Sequence, residues 1–411
     1  MHTDDVTLQS VPLAYHGPAT SIRIALALSL GAALSLGMTR FSYGLLLPPM
    51  RADLGWSYAL AGAMNTSNAA GYLLGALLTP ALLRRMDPTR LMLWGSLFAS
   101  GLMAAGSFAT DTSAWLLLRL AAGSASAFVF IAGGLLATRL GVADPRRGGL
   151  LIGIYYGGTG LGIVLSALVV PLALQVGATP DAWVWGWGAL AVLCFAATAM
   201  LRWPAARLAG MGGAPGAGTG GARSHVPISQ FAFALAGYGM FGMGYIGYMT
   251  FVVALLREQG YGAGSITAFY GLLGVAVMVS PRIWAGLLDR RSDGRPLALF
   301  NALLGFATIL PALSAAWPLL LLSGILFGAV FLSVVASTTA LVRHNLPVSQ
   351  WAAGIGAFTI VFAAGQIIGP GVVGWISDGA GGLTRGFVVS ALVLWAGAAL
   401  AYRQTSLIRD A

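Results

Sequence analysis

A chain of 411 residues that is 58% hydrophobic and only 8% charged departs from soluble domains, where about a quarter of residues are charged, and this excludes an ordinary water-soluble fold. All 22 basic residues are arginine and the net charge is +10, but almost all of them sit in short segments between apolar runs, which argues for a membrane and against nucleic acid as the partner. The absence of lysine excludes a Walker-type phosphate loop, and Cys194, the single cysteine, excludes disulfides and cysteine metal sites.

Residues 1–21 hold His2, Asp4, Asp5, Pro12 and Pro18 without a basic segment leading into an apolar core, so they are expected to be a cytoplasmic tail and not a cleaved signal. Twelve apolar runs follow, at 22–48, 57–82, 91–109, 114–140, 149–174, 182–203, 229–256, 264–288, 296–315, 317–342, 351–377 and 385–402. As helices they cross the ~30 Å of bilayer hydrocarbon. Glycine pairs within them, Gly71/Gly75, Gly153/Gly157, Gly158/Gly162, Gly324/Gly328 and Gly365/Gly369, read as sites of close helix approach in lipid.

Residues 204–228 are rich in Gly, Pro and Ala and are expected to form a flexible cytoplasmic linker between six-helix halves at 22–203 and 229–402, with 403–411 as a second tail. With both termini cytoplasmic, the inner loops take most of the arginines, including Arg84, Arg85, Arg146, Arg147, Arg290 and Arg295, and the outer loops take only Arg51, Arg257 and Arg385, as the positive-inside rule requires. An offset of 205 residues aligns Gly37-Met38-Thr39-Arg40-Phe41-Ser42-Tyr43 with Gly242-Met243-Gly244-Tyr245-Ile246-Gly247-Tyr248, and Leu82-Leu83-Arg84-Arg85 with Leu287-Leu288-Asp289-Arg290. The halves are therefore expected to be parallel repeats.

The loop Gly286-Leu287-Leu288-Asp289-Arg290-Arg291-Ser292-Asp293-Gly294-Arg295 resembles the G-x-L-x-D-R-x-G-R loop of the major facilitator superfamily, with one residue inserted. Leu118-Arg119-Leu120-Ala121-Ala122-Gly123 is similar to its fourth-helix R-x-x-x-G motif, and Gly365-Gln366-Ile367-Ile368-Gly369-Pro370 to its G-x-x-x-G-P motif. The first span, with Gly37 to Tyr43 and then Leu46-Leu47-Pro48-Pro49-Met50, resembles the YbfB/YjiJ-like branch. The first-half loop departs by carrying Arg84 where the loop acid would stand, and the fifth span lacks the antiporter proline after Gly157-Gly158-Thr159-Gly160.

The resemblance implies an all-α membrane protein of twelve helices in two lobes, with helices one, four, seven and ten lining a central cavity. It also implies that Asp289 docks near the start of the fifth span, so Asp289, Arg290, Arg295, Arg146 and Arg147 form the expected gating set.

A charged residue within a span costs roughly 2.5–3.5 kcal/mol and therefore faces a cavity or a partner. Arg40, Arg119 and Arg282 are so placed, whereas no Asp or Glu lies in the middle of a span. Arg40 and Arg119 are the expected anion-binding pair, while Arg282 is expected to snorkel or to pair with Asp289. Asn65, Asn68 and Tyr72 share one helical face, as do Tyr238, Tyr245 and Tyr248, and Tyr43 follows Arg40 by three residues; with Gln366 they complete the expected substrate site.

His2, His16, His225 and His344 lie in tails, the linker or a loop end, so no metal site, cofactor or enzymatic chemistry is expected. The function expected is secondary transport of a small organic solute, favouring a monocarboxylate-like anion, by a monomer in a bacterial inner membrane. The alternative is proton-coupled efflux of drugs or metabolites.

Overall fold

The computed structural model describes residues 18–176, 181–209 and 228–407. Twelve membrane-length helices run through them: α1 (Ala19–Leu54), α2 (Tyr58–Leu83), α3 (Pro88–Gly106), α4 (Thr112–Ala143), α5 (Gly148–Val176), α6 (Trp183–Leu208), α7 (Ala232–Glu258), α8 (Ala263–Arg290), α9 (Arg295–Leu313), α10 (Trp317–Asn345), α11 (Trp351–Ser377) and α12 (Gly382–Tyr402). Ten of these regions are long and apolar enough to cross a membrane. The other two, α2 and α3, are more polar, and the polar groups of α2, among them Asn65, Thr66, Ser67 and Asn68, are turned into contacts with neighbouring helices. The outward surface is apolar, with Leu77, Trp94, Leu172, Val192 and Trp375 all exposed, which suits lipid and not water. The chain is an integral membrane protein.

Helix pairing repeats between the halves. In the first, α1 packs on α5 and α6, α2 on α4, and α3 on α4 and α6; in the second, α7 packs on α11 and α12, α8 on α10, and α9 on α10 and α12. A shift of six helices maps one set onto the other, as a parallel repeat demands. The halves meet along two seams, α2 with α11 and α5 with α8.

Two boundaries differ from the sequence reading. The first span continues past Pro48 and Pro49 to Leu54, since a proline inside a membrane helix is tolerated when neighbours satisfy the freed carbonyls. Helix α6 runs through Pro204 to Leu208, taking up the start of the expected linker; residues 210–227 of that linker, most of the tail 1–21 and residues 408–411 lie outside the described residues.

Small residues set the close helix contacts within each half. Gly158 and Gly162 of α5 abut the carbonyls of Ser29 and Ala33, Gly71 and Gly75 those of Leu120 and Ser124, and Gly365 and Gly369 those of Gly239 and Met243, leaving no room for a Cβ. Gly324 and Gly328 fit against Phe269 and Leu273. The remaining pair does not follow this pattern, because Gly153 faces open space.

One end of the bundle carries the arginine-rich loops. At the other, arginine-poor end the halves are closed on each other: residues Tyr43–Leu54 pack on α7, Tyr270 donates to the Phe41 carbonyl at 2.7 Å, and Thr66 donates to the Ile367 carbonyl at 2.7 Å. Toward the arginine-rich end they diverge. A Cβ placed on Gly149, Gly153, Gly286 or Gly356 would meet nothing within 4 Å, and Arg282, Ile283, Ala285 and Gly286 of α8 are all exposed. Along the α5–α8 seam the approach loosens in this direction: a Cβ on Gly160 would run into the Gly274 carbonyl, one on Gly157 would lie 3.4 Å from the Met278 carbonyl, and one on Gly153 would meet nothing.

Candidate functional site

The site begins with a local irregularity in α1. Residues Ala33–Phe41 form a π-helical stretch, a widened turn that often marks a functional position. Hydroxyls fill the gaps it leaves: Thr39 donates to the Ser35 carbonyl, Ser42 to the Met38 carbonyl, and Thr39 and Ser126 of α4 share a hydrogen bond of 2.8 Å. The stretch carries Arg40 inward, where it is 4% exposed.

Arg40 and Arg119 have different surroundings. Arg119 is 2% exposed and is held at two points, donating to the Thr39 carbonyl at 2.9 Å and to Asn65 Oδ1 at 2.7 Å. Its guanidinium lies over the Tyr43 ring, 4.7 Å from the centroid, and Asn65 passes the connection to Thr250 of α7 at 2.7 Å. Asn68 supports the same network from below by donating to the Arg119 carbonyl at 3.1 Å. Arg40 lacks such a harness. Its Nε and Nη2 are buried without a hydrogen-bond partner, and its guanidinium lies over the Tyr72 ring, 5.8 Å from the centroid.

Arg40 and Arg119 lie within electrostatic reach of each other, and Tyr72 and Tyr245 lie within reach of Arg40. None of the ion pairs among the described residues includes either arginine; those pairs are Arg147 with Asp144, and Asp293 with Arg291 and Arg295. All the acids of the chain stand at helix ends, between helices or in the terminal segments.

Opposite Arg40, α7 brings Tyr245, whose hydroxyl accepts from Gln366 of α11. Tyr245 belongs to a column of near-parallel rings: 4.7 Å from Phe241, 5.1 Å from Phe331 of α10 and 5.8 Å from Phe362 of α11. Tyr238 joins the column at 5.0 Å from Phe362. The other predicted tyrosines are occupied elsewhere. Tyr43 donates to the Ala61 carbonyl at 3.0 Å, and Tyr248 shares a 2.8 Å hydrogen bond with Ser323 while stacking on Phe327. The structure therefore gathers Arg40, Tyr72, Tyr245 and Gln366 at one place, sets Arg119, Asn65, Asn68 and Tyr43 beside it as a bonded frame, and leaves Tyr248 in a separate contact.

The expected gating residues divide as well. Asp289 lines a small pocket with Arg343, His344 and Trp351 at the arginine-rich end. Arg147 pairs with Asp144 at 3.5 Å, Arg295 pairs with Asp293 at 3.4 Å, and Arg146 and Arg290 are exposed. Arg282, also exposed, makes no ion pair with Asp289 among the described residues.

Sequence reasoning missed a latch at the arginine-poor end. Asp378, after α11, accepts from the backbone N–H groups of Tyr58 at 2.7 Å and Ala59 at 2.9 Å, capping α2 of the other half. The Tyr58 hydroxyl donates to Glu258 of α7, and Arg51 lies 3.8 Å above the Tyr58 ring. The signal available was the placement of Glu258 and Asp378 at span ends, beside Arg51 in a region otherwise poor in charge.

A family model described as "Uncharacterised MFS-type transporter YbfB" matches residues 32–402. No curated protein matches the sequence. Among solved structures, a bacterial homologue of the human lysosomal transporter Spinster, inward-facing and unoccupied, superposes with a TM-score of 0.67 at 16% identity, covering 94% of this chain and 97% of that one. The nucleoside transporter NupG gives 0.65 at 16% identity, covering 93% and 98%. The human organic anion transporter MFSD10 gives 0.61 at 15% identity, covering 94% and 100%. At these identities the likeness is one of fold.

Proposed function

Given that this chain belongs to the YbfB family of major facilitator superfamily transporters, we propose that it carries a small organic monoanion, of the carboxylate kind, across the bacterial inner membrane by rocking its two halves about Arg40. The two six-helix lobes, the first running to Leu208 at the end of α6, are the moving bodies, the segment after it joins them, and the positive-inside rule assigns the arginine-rich end to the cytoplasm. On that assignment the state described is closed outside and splayed inside.

The observation that carries the reading is the pair of unpartnered, buried nitrogens on Arg40. A guanidinium without an acid beside it is costly in low dielectric, and a carboxylate ligand supplies both the opposite charge and a matching two-point acceptor. Arg119, whose two terminal nitrogens are bonded to Thr39 and Asn65 and whose Nε alone is buried without a partner, serves as the frame that sets the pitch of α1, with Asn68 and Tyr43 around it. Tyr72, Tyr245 and Gln366 stand next to the anion, and Tyr238 stands farther along. Asp289, Arg290, Arg295, Arg146 and Arg147 act at the cytoplasmic gate when the inner halves close. Export of cations would call for an acid facing the same space, and the acids lie at the ends.

Thermal unfolding of the purified protein tests the reading when it is screened against carboxylates, amines and cationic dyes. Carboxylates should raise the midpoint. Arg40→Lys keeps the charge but loses the planar fork and should weaken binding, and Arg40→Ala should weaken it by ~2–5 kcal/mol. Stabilisation by cations alone, or carboxylate binding unaltered in Arg40→Ala, would overturn it.

A further inference from the structure

We propose that the transported anion is an aryl monocarboxylate: one negative charge, no ammonium group, and a flat aromatic body. The inference rests on the anion reading above and specifies the rest of the ligand. It draws on the chemical asymmetry of the two halves around Arg40. The first half offers the guanidinium with its free nitrogens. The second half offers rings: Tyr238, Phe241, Tyr245, Phe331 and Phe362, contributed by α7, α10 and α11.

Four of these rings share one orientation, while Phe331 is turned 30° from Tyr245 and 44° from Phe241. The angle is 12° between Phe241 and Phe362, 13° between Tyr245 and Phe362, 20° between Tyr238 and Phe362 and 21° between Phe241 and Tyr245. Aromatic clusters commonly mix edge-to-face and stacked pairs; here the edge-to-face contacts lie at the margin of the group, with Phe358 at 65° to Tyr238 and Phe41 at 85° to Phe331, and the four inner rings are parallel. A column of parallel faces favours a guest that adds one more parallel face. Phe362 is the member left partly exposed, and Tyr245, which lies within reach of Arg40, joins the column to the charge.

The same helices limit the ligand's charge. Along α7, α10 and α11 charged side chains occur only near the ends, at Arg257, Glu258 and Arg343. A second carboxylate on the ligand would find the two terminal nitrogens of Arg119 already taken by Thr39 and Asn65, leaving only Nε and no two-point fork, and an ammonium group would find no acid while facing two guanidinium groups. Each would be desolvated without a partner.

Calorimetric titration of the purified protein with matched probes tests this. Benzoate should bind about five- to tenfold more tightly than cyclohexanecarboxylate, which has the same charge and similar size but lacks a π-face. 3-Phenylpropionate should exceed phenylalanine, which adds an ammonium, by more than about tenfold, and butyrate should exceed succinate. Phe362→Leu, which keeps an apolar side chain and removes the ring, should shrink the benzoate to cyclohexanecarboxylate ratio toward one. Equal binding of those two acids by the native protein, or a ratio unchanged in Phe362→Leu, overturns the aromatic body and leaves the anion reading intact. Phenylalanine binding as tightly as 3-phenylpropionate overturns the single charge. If no carboxylate binds at all while cations do, both readings fall together.

Discussion

Arg40 and Arg119 are the same residue type at nearly the same depth and burial, yet their hydrogen bonding assigns them opposite energetic roles. Removing Arg119 orphans Asn65 Oδ1 and the Thr39 carbonyl, at ~1–3 kcal/mol for each buried group left unsatisfied. Removing Arg40 breaks no hydrogen bond made through its Nε or Nη2 and takes an uncompensated charge out of an apolar setting, a relief of up to ~3 kcal/mol on insertion scales. Arg119→Ala should therefore lower the unfolding midpoint of the empty protein in detergent, and Arg40→Ala should leave it unchanged or raise it while abolishing carboxylate stabilisation. A fall of equal size in both variants would contradict the division of roles. The presence of two costly arginines was legible in the sequence, since intramembrane charge is rare. Their difference was not, because it depends on a carbonyl that the π-helical stretch turns toward α4, and no residue pattern in Ala33–Phe41 announces that turn.

At the level of helices, the apolar runs set the number and order of the elements, although α2 and α3 are more polar than the other ten, and the glycine pairs located close contacts within each half. What length could not resolve was continuation through Pro48, Pro49 and Pro204, where neighbouring helices outweigh a local breaker. The repeat offset also slipped in the loops: Asp87 caps α3 by accepting from Thr89 N at 2.8 Å, and Asp293 accepts from Arg295 N at 3.1 Å at the head of α9. These acids stand at an offset of 206 and not 205, because one more residue separates Asp293 from Leu287-Leu288 than separates Asp87 from Leu82-Leu83. Helix α5 offers a direct test of which glycines pack. Gly162→Ala would drive a methyl into the Ala33 carbonyl and the Gly37 Cα, an overpacking cost of ~1–3 kcal/mol. Gly153→Ala enters open space and should gain up to ~1 kcal/mol from helix propensity. Unfolding midpoints of the two variants should move in opposite directions, and a loss in Gly153→Ala would mean that α5 closes there in the dominant state.

For the whole molecule, the question is what keeps the arginine-poor end shut while the other end is open. The contact best suited to the task is the cap that Asp378 places on the first two residues of α2, because it joins the halves and opposes a full negative charge to the positive end of a helix. Such a pairing is worth ~0.3–2 kcal/mol, and since 1.4 kcal/mol is a factor of ten in an equilibrium, its loss can redistribute two nearly balanced states without unfolding either. Glu258 adds a second strand to the latch through Tyr58. Asp378→Asn should therefore populate a form open at this end, more so together with Glu258→Gln. Cys194 is the only native cysteine, so Cys194→Ala gives a background for spin labels at Thr110 and Ala315, exposed sites in equivalent loops between α3 and α4 and between α9 and α10. Pulsed electron resonance on the empty protein should show a single shorter distance with the latch intact and a growing longer component as it is removed. If the distribution stays fixed in the double variant, the closure belongs to the glycine-lined seam of α2 and α11, where Gly62 and Gly374 abut the carbonyls of Pro370 and Tyr58, and bulky substitution at Gly62 would then be the change that opens it.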